Sequence, residues 1–303
     1  MTNDLTLLID ASSLIYRAYF STPDTVRAPD GRLVNAAHGF LGMIARLVHD
    51  HNPRHICCAA DEDWRPEWRV ELIDTYKTHR TLPSSIQQQA DRELERQVPI
   101  IFGLLQLCGI EVIGHPGYEA EDVIGTLAAR ASGPVAIVSG DRDLFQLVRD
   151  PDVFVLFPRR GVSLVDRVDE TYIEERFGIP GRSYRDFAVL RGDSSDGLPG
   201  VRGIGDKIAA SLLRRYGSLS GIMSAAEAHG EGIALSRVQR DLDYIKRALQ
   251  VVTIPTDLPL PQVDLRRPLG DPEEAAYPFA QRLGLSNAVT RLIASLRSER
   301  SGI

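Results

Sequence analysis

Cysteine is scarce: Cys57, Cys58 and Cys108 are an odd number set in apolar runs, without the Cys/His spacing of a zinc site. A disulfide framework is therefore excluded, and the three read as buried thiols of a reducing compartment, which places the protein in the cytoplasm. No GxxxxGK[ST] loop is present, which argues against an NTPase. Met1–Ile9 carries no basic segment followed by an apolar stretch, and the most apolar long region, Val98–Gly114, is broken by Gly103, Gln106, Gly109 and Glu111. Neither a signal peptide nor a membrane span is expected. Internal repeats, low-complexity blocks and a clear linker are lacking as well. So is an excess of basic residues, since the formal charge is −6. That balance speaks against a nucleic-acid partner only until it is divided by region, because metal-binding acids hide local basicity. Residues 181–217 hold seven basic and four acidic side chains, a net of +3 that leaves −9 for the remainder.

What is present is a substantial core: 303 residues, 43% hydrophobic, enough for one large or two modest domains. Short apolar runs recur, and acids end them. Leu5–Ile9 stops at Asp10 and His55–Ala60 at Asp61, while Val135–Val138 leads into Ser139-Gly140-Asp141-Arg142-Asp143. Ile110–Ile113 is a further strand, Gly39–His51 has helical spacing, and Val153–Phe157 with Ser163–Val168 reads as two strands at the sheet edge around Arg159-Arg160-Gly161. This alternation predicts a parallel sheet flanked by helices, in which ligands bind beyond the carboxyl ends of the strands, where the acids fall.

Tyr118-Glu119-Ala120-Glu121-Asp122 puts three acids at the mouth of the apolar helix Val123–Ala131. Alone it could be a capped helix, because free N–H groups favour acids there. Together with Asp10, Asp61, Asp141, Asp143, Asp193 and Asp196, these acids cannot all ionise in one place without cations. The chemistry this suggests is phosphodiester hydrolysis by hard divalent ions, Mg²⁺ or Mn²⁺, held roughly 4 Å apart by oxygen ligands.

Two other stretches stand out. Residues 62–97 mix bases with aromatics, namely Trp64, Arg65, Trp68, Arg69, Tyr76, Lys77, His79 and Arg80, before Pro83 and the polar helical run Ser84–Gln97. The mixture suits single-stranded nucleic acid or, equally, a solvated amphipathic helix pair; its place straight after Asp61 favours a cover over the site. From Ser183 to Gly217 the pattern is helix Tyr184–Arg191, loop Gly192–Gly197, hairpin Leu198–Gly205, and helix Asp206–Arg215 with Asp206 as N-cap. Glycines at 200, 203 and 205 allow close approach of a ligand, and a helix N-terminus beside Lys207 suits phosphate. This is a helix-hairpin-helix pattern for gripping a DNA backbone without reading bases. Leu242–Val252 reads as a helix, Pro255–Pro268 as an irregular crossing, and Pro278–Leu296 as a closing amphipathic helix.

Taken in order, Leu-Ile-Asp10-Ala, Tyr16-Arg17-Ala18-Tyr19, Asn35 with Gly39-Phe40, Tyr76-Lys77 with Arg80, Gly117–Asp122, Ser139–Leu144 and Gly192–Gly205 resemble the bacterial 5′ nuclease and flap endonuclease family. The chain is most similar to the 5′-nuclease domain at the N-terminus of DNA polymerase I, here expected as a stand-alone member or isolated domain. The resemblance implies an α/β, PIN-like core with a mostly parallel central sheet flanked by helices, a helical arch insertion and a helix-hairpin-helix subdomain. The core would span 1–178 with the arch at 62–97, the subdomain 179–252, and a C-terminal segment 253–303 would pack on the core. It implies removal of 5′ flaps and 5′ ends, RNA primer remnants included, in DNA replication and repair. Partners would be flapped, nicked, gapped or RNA-primed DNA, with DNA polymerase and ligase, around a monomer.

By position, Asp10, Asp61, Glu119, Glu121 and Asp122 would hold the first metal directly or through water. Asp141, Asp143, Asp193 and Asp196 would hold the second, with a third ion nearby in some relatives. Lys77 and Arg80 match arch residues that steer the scissile phosphate, and Arg17 is a further phosphate contact. Tyr76, Gly200, Val201, Arg202, Gly203, Ile204, Gly205 and Lys207 would meet DNA, the carbonyls of the hairpin, at Val201 and Ile204, binding K⁺ against its backbone. Glu121 stands where Asp is usual, and Gly197 where Asn is common, which questions the rigidity of that loop. Trp64 and Trp68 replace smaller aromatics and are as consistent with packing as with stacking. The competing readings are a PIN-type ribonuclease, commonly shorter and without the hairpin, and a non-catalytic DNA-junction-binding module, against which the filled acid positions count.

Overall fold

The computed structural model describes residues 4–298 except 82, 83, 229 and 230. Its elements are β1 (Thr6–Asp10), α1 (Ala11–Ser21), α2 (Asn35–His51), β2 (His55–Ala59), α3 (Glu67–Leu72), α4 (Ser85–Leu107), β3 (Glu111–Ile113), α5 (Ala120–Arg130), β4 (Val135–Val138), β5 (Val153–Arg160), β6 (Leu164–Val168) and α6 (Glu170–Phe177). There follow α7 (Tyr184–Arg191), α8 (Asp206–Tyr216), α9 (Leu219–Glu227), α10 (Ile233–Arg240), α11 (Leu242–Val252), α12 (Ala276–Arg282) and α13 (Ser286–Arg297). Short 3-10 turns lie at Thr78–Thr81, Asp143–Leu147 and Gly181–Ser183. No helix among the described residues is long and apolar enough to cross a membrane.

The six strands form one sheet in the order β3-β2-β1-β4-β5-β6. All neighbours are parallel except the edge strand β6, which returns antiparallel to β5. Both faces are covered, so β1 is apolar throughout rather than alternating. Leu8 faces the core shared with α5, α7, α8 and α11, whereas Leu7 and Ile9 face the core shared with α1, α2, α4 and α13. The chain runs outward from β1 through β2 to β3, then crosses back to β4 on the other side of β1. The sheet therefore changes direction between β1 and β4, and a crevice opens beyond their carboxyl ends.

Several boundaries differ from the sequence expectation. Helix α2 begins at Asn35 rather than Gly39, because the Asn35 amide donates to the carbonyls of Tyr19 and Thr22 and its oxygen accepts from Gln97. The closing helix is two, α12 and α13, separated at Gly284 in the left-handed region (φ +69°). Gly205 takes the N-cap position of α8, making Asp206 the first helical residue and not the cap. The irregular crossing is pinned by side chains: Arg130 donates to the carbonyls of Leu258 and Leu260, and Gln146 donates to Val252 and accepts from Ile254. Pro83 lies outside the described residues.

Candidate active site

Each acid site grows from a local structural need. Asp10, the last residue of β1, caps α1 by accepting the Ser13 N–H at 3.0 Å, and its other oxygen accepts the Ser139 hydroxyl. Asp61, just past β2, accepts the N–H of Ala120 at 2.7 Å and so ties the second strand to the start of α5. Beyond β4, the Asp141 carboxylate accepts the Asp143 N–H at 2.9 Å, a tight turn that sets Asp141 on the crevice with Asp143 buried beside it. Asp193 and Asp196 come from a loop closed by mutual backbone bonds between Asp193 and Leu198 of 3.0 and 2.8 Å. Asp10, Asp61, Glu119, Glu121, Asp141 and Asp193 line one cleft of roughly 2410 Å³.

The three acids at α5 are used unequally. Asp122, fully buried, accepts the Glu119 N–H at 3.0 Å with one oxygen and the Arg69 guanidinium at 2.7 Å with the other. Glu119 accepts Arg69 at 2.7 Å and the Tyr76 hydroxyl at 2.6 Å on one oxygen, and the Lys77 ammonium on the other. Glu121 offers an oxygen to a group in which it, Asp141 and Asp143 present carboxylate oxygens all within 4.8 Å of one another. The resemblance assigned Glu121 and this aspartate pair to two ions; here their carboxylate oxygens lie together.

Burial dominates the electrostatics. It pushes Asp10 up to about 7, helped by Asp61 and Asp141 and opposed by Ser139 and Ser13. It likewise raises Asp196 to about 6, with Asp141 adding to the rise and Lys77 and Arg80 opposing it. Glu121 and Asp143 are driven well above the usual carboxylate range, first by burial, then by Glu119 and by Asp141 respectively. Such a set is costly when ionised and unpaired, and divalent cations relieve that cost. The donor set is all oxygen, so it fits hard ions such as Mg²⁺, Mn²⁺ or Ca²⁺ rather than zinc or copper.

The bases of 62–97 divide between interior and surface. Lys77 is buried with φ +49°, and burial lowers its pKa less than Glu119, Asp196 and Glu121 raise it. Arg80 is exposed, donating to the Ser195 carbonyl at 2.9 Å and to Asp196 at 2.8 Å. Arg17 lines the cleft, and its Nε is buried with no hydrogen-bond partner. Two side chains of this stretch turn inward: Tyr76, expected at DNA, is 2% exposed with its hydroxyl on Glu119, and Arg69 is wholly buried. Trp68 packs on Tyr118 and donates to the Gly117 carbonyl at 3.1 Å, the packing role; Trp64 is half exposed at the cleft. Sequence reasoning missed Arg69 as a partner of the acids. The signal available was indirect: a buried acid run needs a counter-charge.

The hairpin is a backbone device. Gly200 (φ +70°) lies so close to Arg191 that an added Cβ would stand 2.3 Å from its carbonyl oxygen. The Gly200 N–H donates to the Tyr244 hydroxyl at 2.9 Å, and Val201 donates to the Leu190 carbonyl at 2.9 Å. Residues Pro199–Gly205 line a shallow, open depression. Val201 and Ile204 have buried side chains, and the Val201 carbonyl accepts the Ile204 N–H at 2.9 Å. Arg237 donates to the Gly203 carbonyl at 2.7 Å and Arg240 to the Arg202 carbonyl at 3.2 Å, while Lys207 is exposed on the first turn of α8. At Gly197 φ is +72° and a Cβ would stand 2.0 Å from the Thr75 carbonyl oxygen, so the loop packs directly on that backbone.

Residues 5–178 match the family model of the 5′-3′ exonuclease N-terminal resolvase-like domain, and residues 179–272 that of the 5′-3′ exonuclease C-terminal SAM fold. A 5′-3′ exonuclease of Streptomyces coelicolor is 46% identical, covering 96% of this chain and 99% of its own. One of Mycobacterium tuberculosis is 42% identical, covering 94% and 96%. DNA polymerase I of Mycobacterium bovis is 36% identical over 84% of this chain but only 28% of its own length. Among solved structures, the T5 D15 protein co-crystallised with metal ions superposes with a TM-score of 0.68 at 16% identity, over 96% of this chain and 98% of that one. The catalytic core of Rad2 in complex with DNA substrate gives 0.58 at 18%, over 98% and 93%. These two likenesses carry the fold.

Proposed function

We propose, from the premise that the chain belongs to the 5′-3′ exonuclease family, that it is a structure-specific 5′ nuclease acting as 5′-3′ exonuclease and flap endonuclease on duplex DNA with 5′ flaps or primer ends. The observation that carries this reading is the meeting of acids from the ends of β1, β2 and β4, the start of α5 and the loop after α7 in one cleft. Asp10, Asp61, Glu121, Asp141, Asp143, Asp193 and Asp196 would hold Mg²⁺ or Mn²⁺. Bound there, such ions supply a water of lowered pKa and charge for the attacking and leaving oxygens.

The protein's own contribution is positioning. Lys77 and Arg80 stand over the acids, from where their charges meet a scissile phosphate and stabilise the charge that develops on it. Arg17, which lines the cleft, would supply a further phosphate donor. The hairpin Gly200–Gly205 and Lys207 hold the duplex backbone without reading bases, with K⁺ at the carbonyls of Val201 and Ile204. In this division 1–178 is the catalytic core, 179–252 the duplex grip and 253–303 a packing segment. Its setting is a cytoplasmic monomer handing trimmed ends to a polymerase and a ligase.

The test is incubation with a labelled 5′-flap duplex and with single-stranded RNA, each with and without Mg²⁺ or Mn²⁺. Metal-dependent preference for the junctioned duplex supports the reading. Preference for RNA would assign a ribonuclease, and binding without cleavage a non-catalytic junction module.

A further inference from the structure

Arg69 is an arginine with no solvent exposure, seated beside three acids. One arm of its fork meets Glu119 at 2.7 Å; the other meets Asp122 at 2.7 Å and stands 3.3 Å from Glu121. Its Nε donates to the Val251 carbonyl at 3.2 Å, at the end of α11, and its Cζ stands 4.8 Å and 5.8 Å from the ring centroids of Trp68 and Tyr76. The fork thus spans the N-cap of α5 and its third residue at once, which a lysine's point charge cannot do. Asp122 has no free oxygen left, since the Glu119 N–H holds the second. Glu119 likewise has Arg69 and Tyr76 on one oxygen and Lys77 on the other.

We propose that Arg69 is a positioning residue that serves as a resident cation of the acid cleft: it withdraws Glu119 and Asp122 from the set of divalent-metal ligands and leaves Glu121 as the acid of that run open to an ion. The inference rests on the cleft being a divalent-metal site. Three carboxylates at one helix mouth otherwise present enough charge for a dication of their own; a fixed guanidinium meets that charge without one. Glu121, met by the same guanidinium only at the longer distance of 3.3 Å, keeps an oxygen in the group with Asp141 and Asp143. The same contacts bind the base of the 62–97 segment, through α3, to the acids and to α11.

The experiment counts ions, not turnover. Mn²⁺ binding to the purified chain without DNA is measured by calorimetry and by the electron-spin signal of free Mn²⁺, for the wild type, Asp122→Asn, Arg69→Met and the double variant Arg69→Met/Asp122→Asn. Asp122→Asn is expected to melt at a lower temperature yet keep the wild-type ion count, with affinity within about twofold. Arg69→Met is expected to bind one more Mn²⁺, and the double variant to return to the wild-type count. A fall of about tenfold or more in affinity in Asp122→Asn overturns the proposal, as does an unchanged count in folded Arg69→Met. Where Arg69→Met does not fold, the Asp122→Asn measurement decides. A wild type that binds no Mn²⁺ fails the metal reading of the cleft instead, so the two failures are distinguishable.

Discussion

The mouth of α5 and the Leu198–Gly205 hairpin are held together by opposite means. At α5, charge is buried and answered by charge: Glu119 and Asp122 against Arg69 and Lys77. In the hairpin the fixing forces are backbone hydrogen bonds and glycines in the left-handed region, and the charged groups, Arg202 and Lys207, point outward. Low-dielectric surroundings suit the first region to altering reactivity, while exposed bases over a rigid backbone suit the second to grip. Chemistry and binding should therefore fail separately.

The strongest challenge to that separation is Asp141→Asn. It removes a member of the closest acid group and leaves the hairpin intact, so single-turnover cleavage should fall by ~10³-fold or more with DNA affinity largely kept. Equal losses of both would merge the two regions. Lys77→Ala should slow the chemical step by ~10²-fold, as loss of a charge aimed at the transition state does. An unchanged single-turnover rate would leave Lys77 as a counter-ion of Glu119 alone. Gly200→Ala should act in the other direction. Its Cβ collides with the Arg191 backbone, so the expected result is a roughly tenfold loss of duplex affinity in a gel-shift assay, with cleavage at saturating DNA little altered. Lys207→Ala should be the mildest of the substitutions, lowering the salt slope of duplex binding by ~0.9 as one phosphate contact is lost.

Acidity sharpens the contrast further. Asp10 and Asp196 have folded-state pKa values of about 7 and about 6, above their unfolded values, because both are buried beside other acids. The folded chain holds more protons than the unfolded one between about pH 4 and 7 at these sites, so their contribution to stability is present below that window and lost as pH rises through it. Without divalent ions the melting temperature should decline across that range, and added Mg²⁺ should raise it more at pH 8 than at pH 5. A Mg²⁺ effect equal at both values would detach the ions from these carboxylates.

Much of this was legible in the sequence because it follows from local pattern. Acids closing apolar runs located the cleft, since parallel strands end on one edge. Helices α7 and α11 fall where their apolar spacing put them. What escaped depends on contacts distant in the chain. Arg69 reads as a surface base in a six-residue helix, and only its approach to α5 and Val251 buries it. Tyr76 sits beside two bases that do reach the cleft, but its own side chain turns inward to Glu119. The split between α12 and α13 hinges on one glycine in a run otherwise amphipathic enough to continue.

The weld at Gly197 has a mechanical consequence. Its backbone lies on the Thr75 carbonyl, the Lys77 N–H donates to the Asp196 carbonyl at 2.9 Å, and Arg80 clasps Asp196 and Ser195. Segments more than a hundred positions apart are thereby joined, so a shift of the turn at 75–80 would carry the Asp196 carboxylate with it. Lengthening either strand of that joint by a residue would put acid and base out of step together.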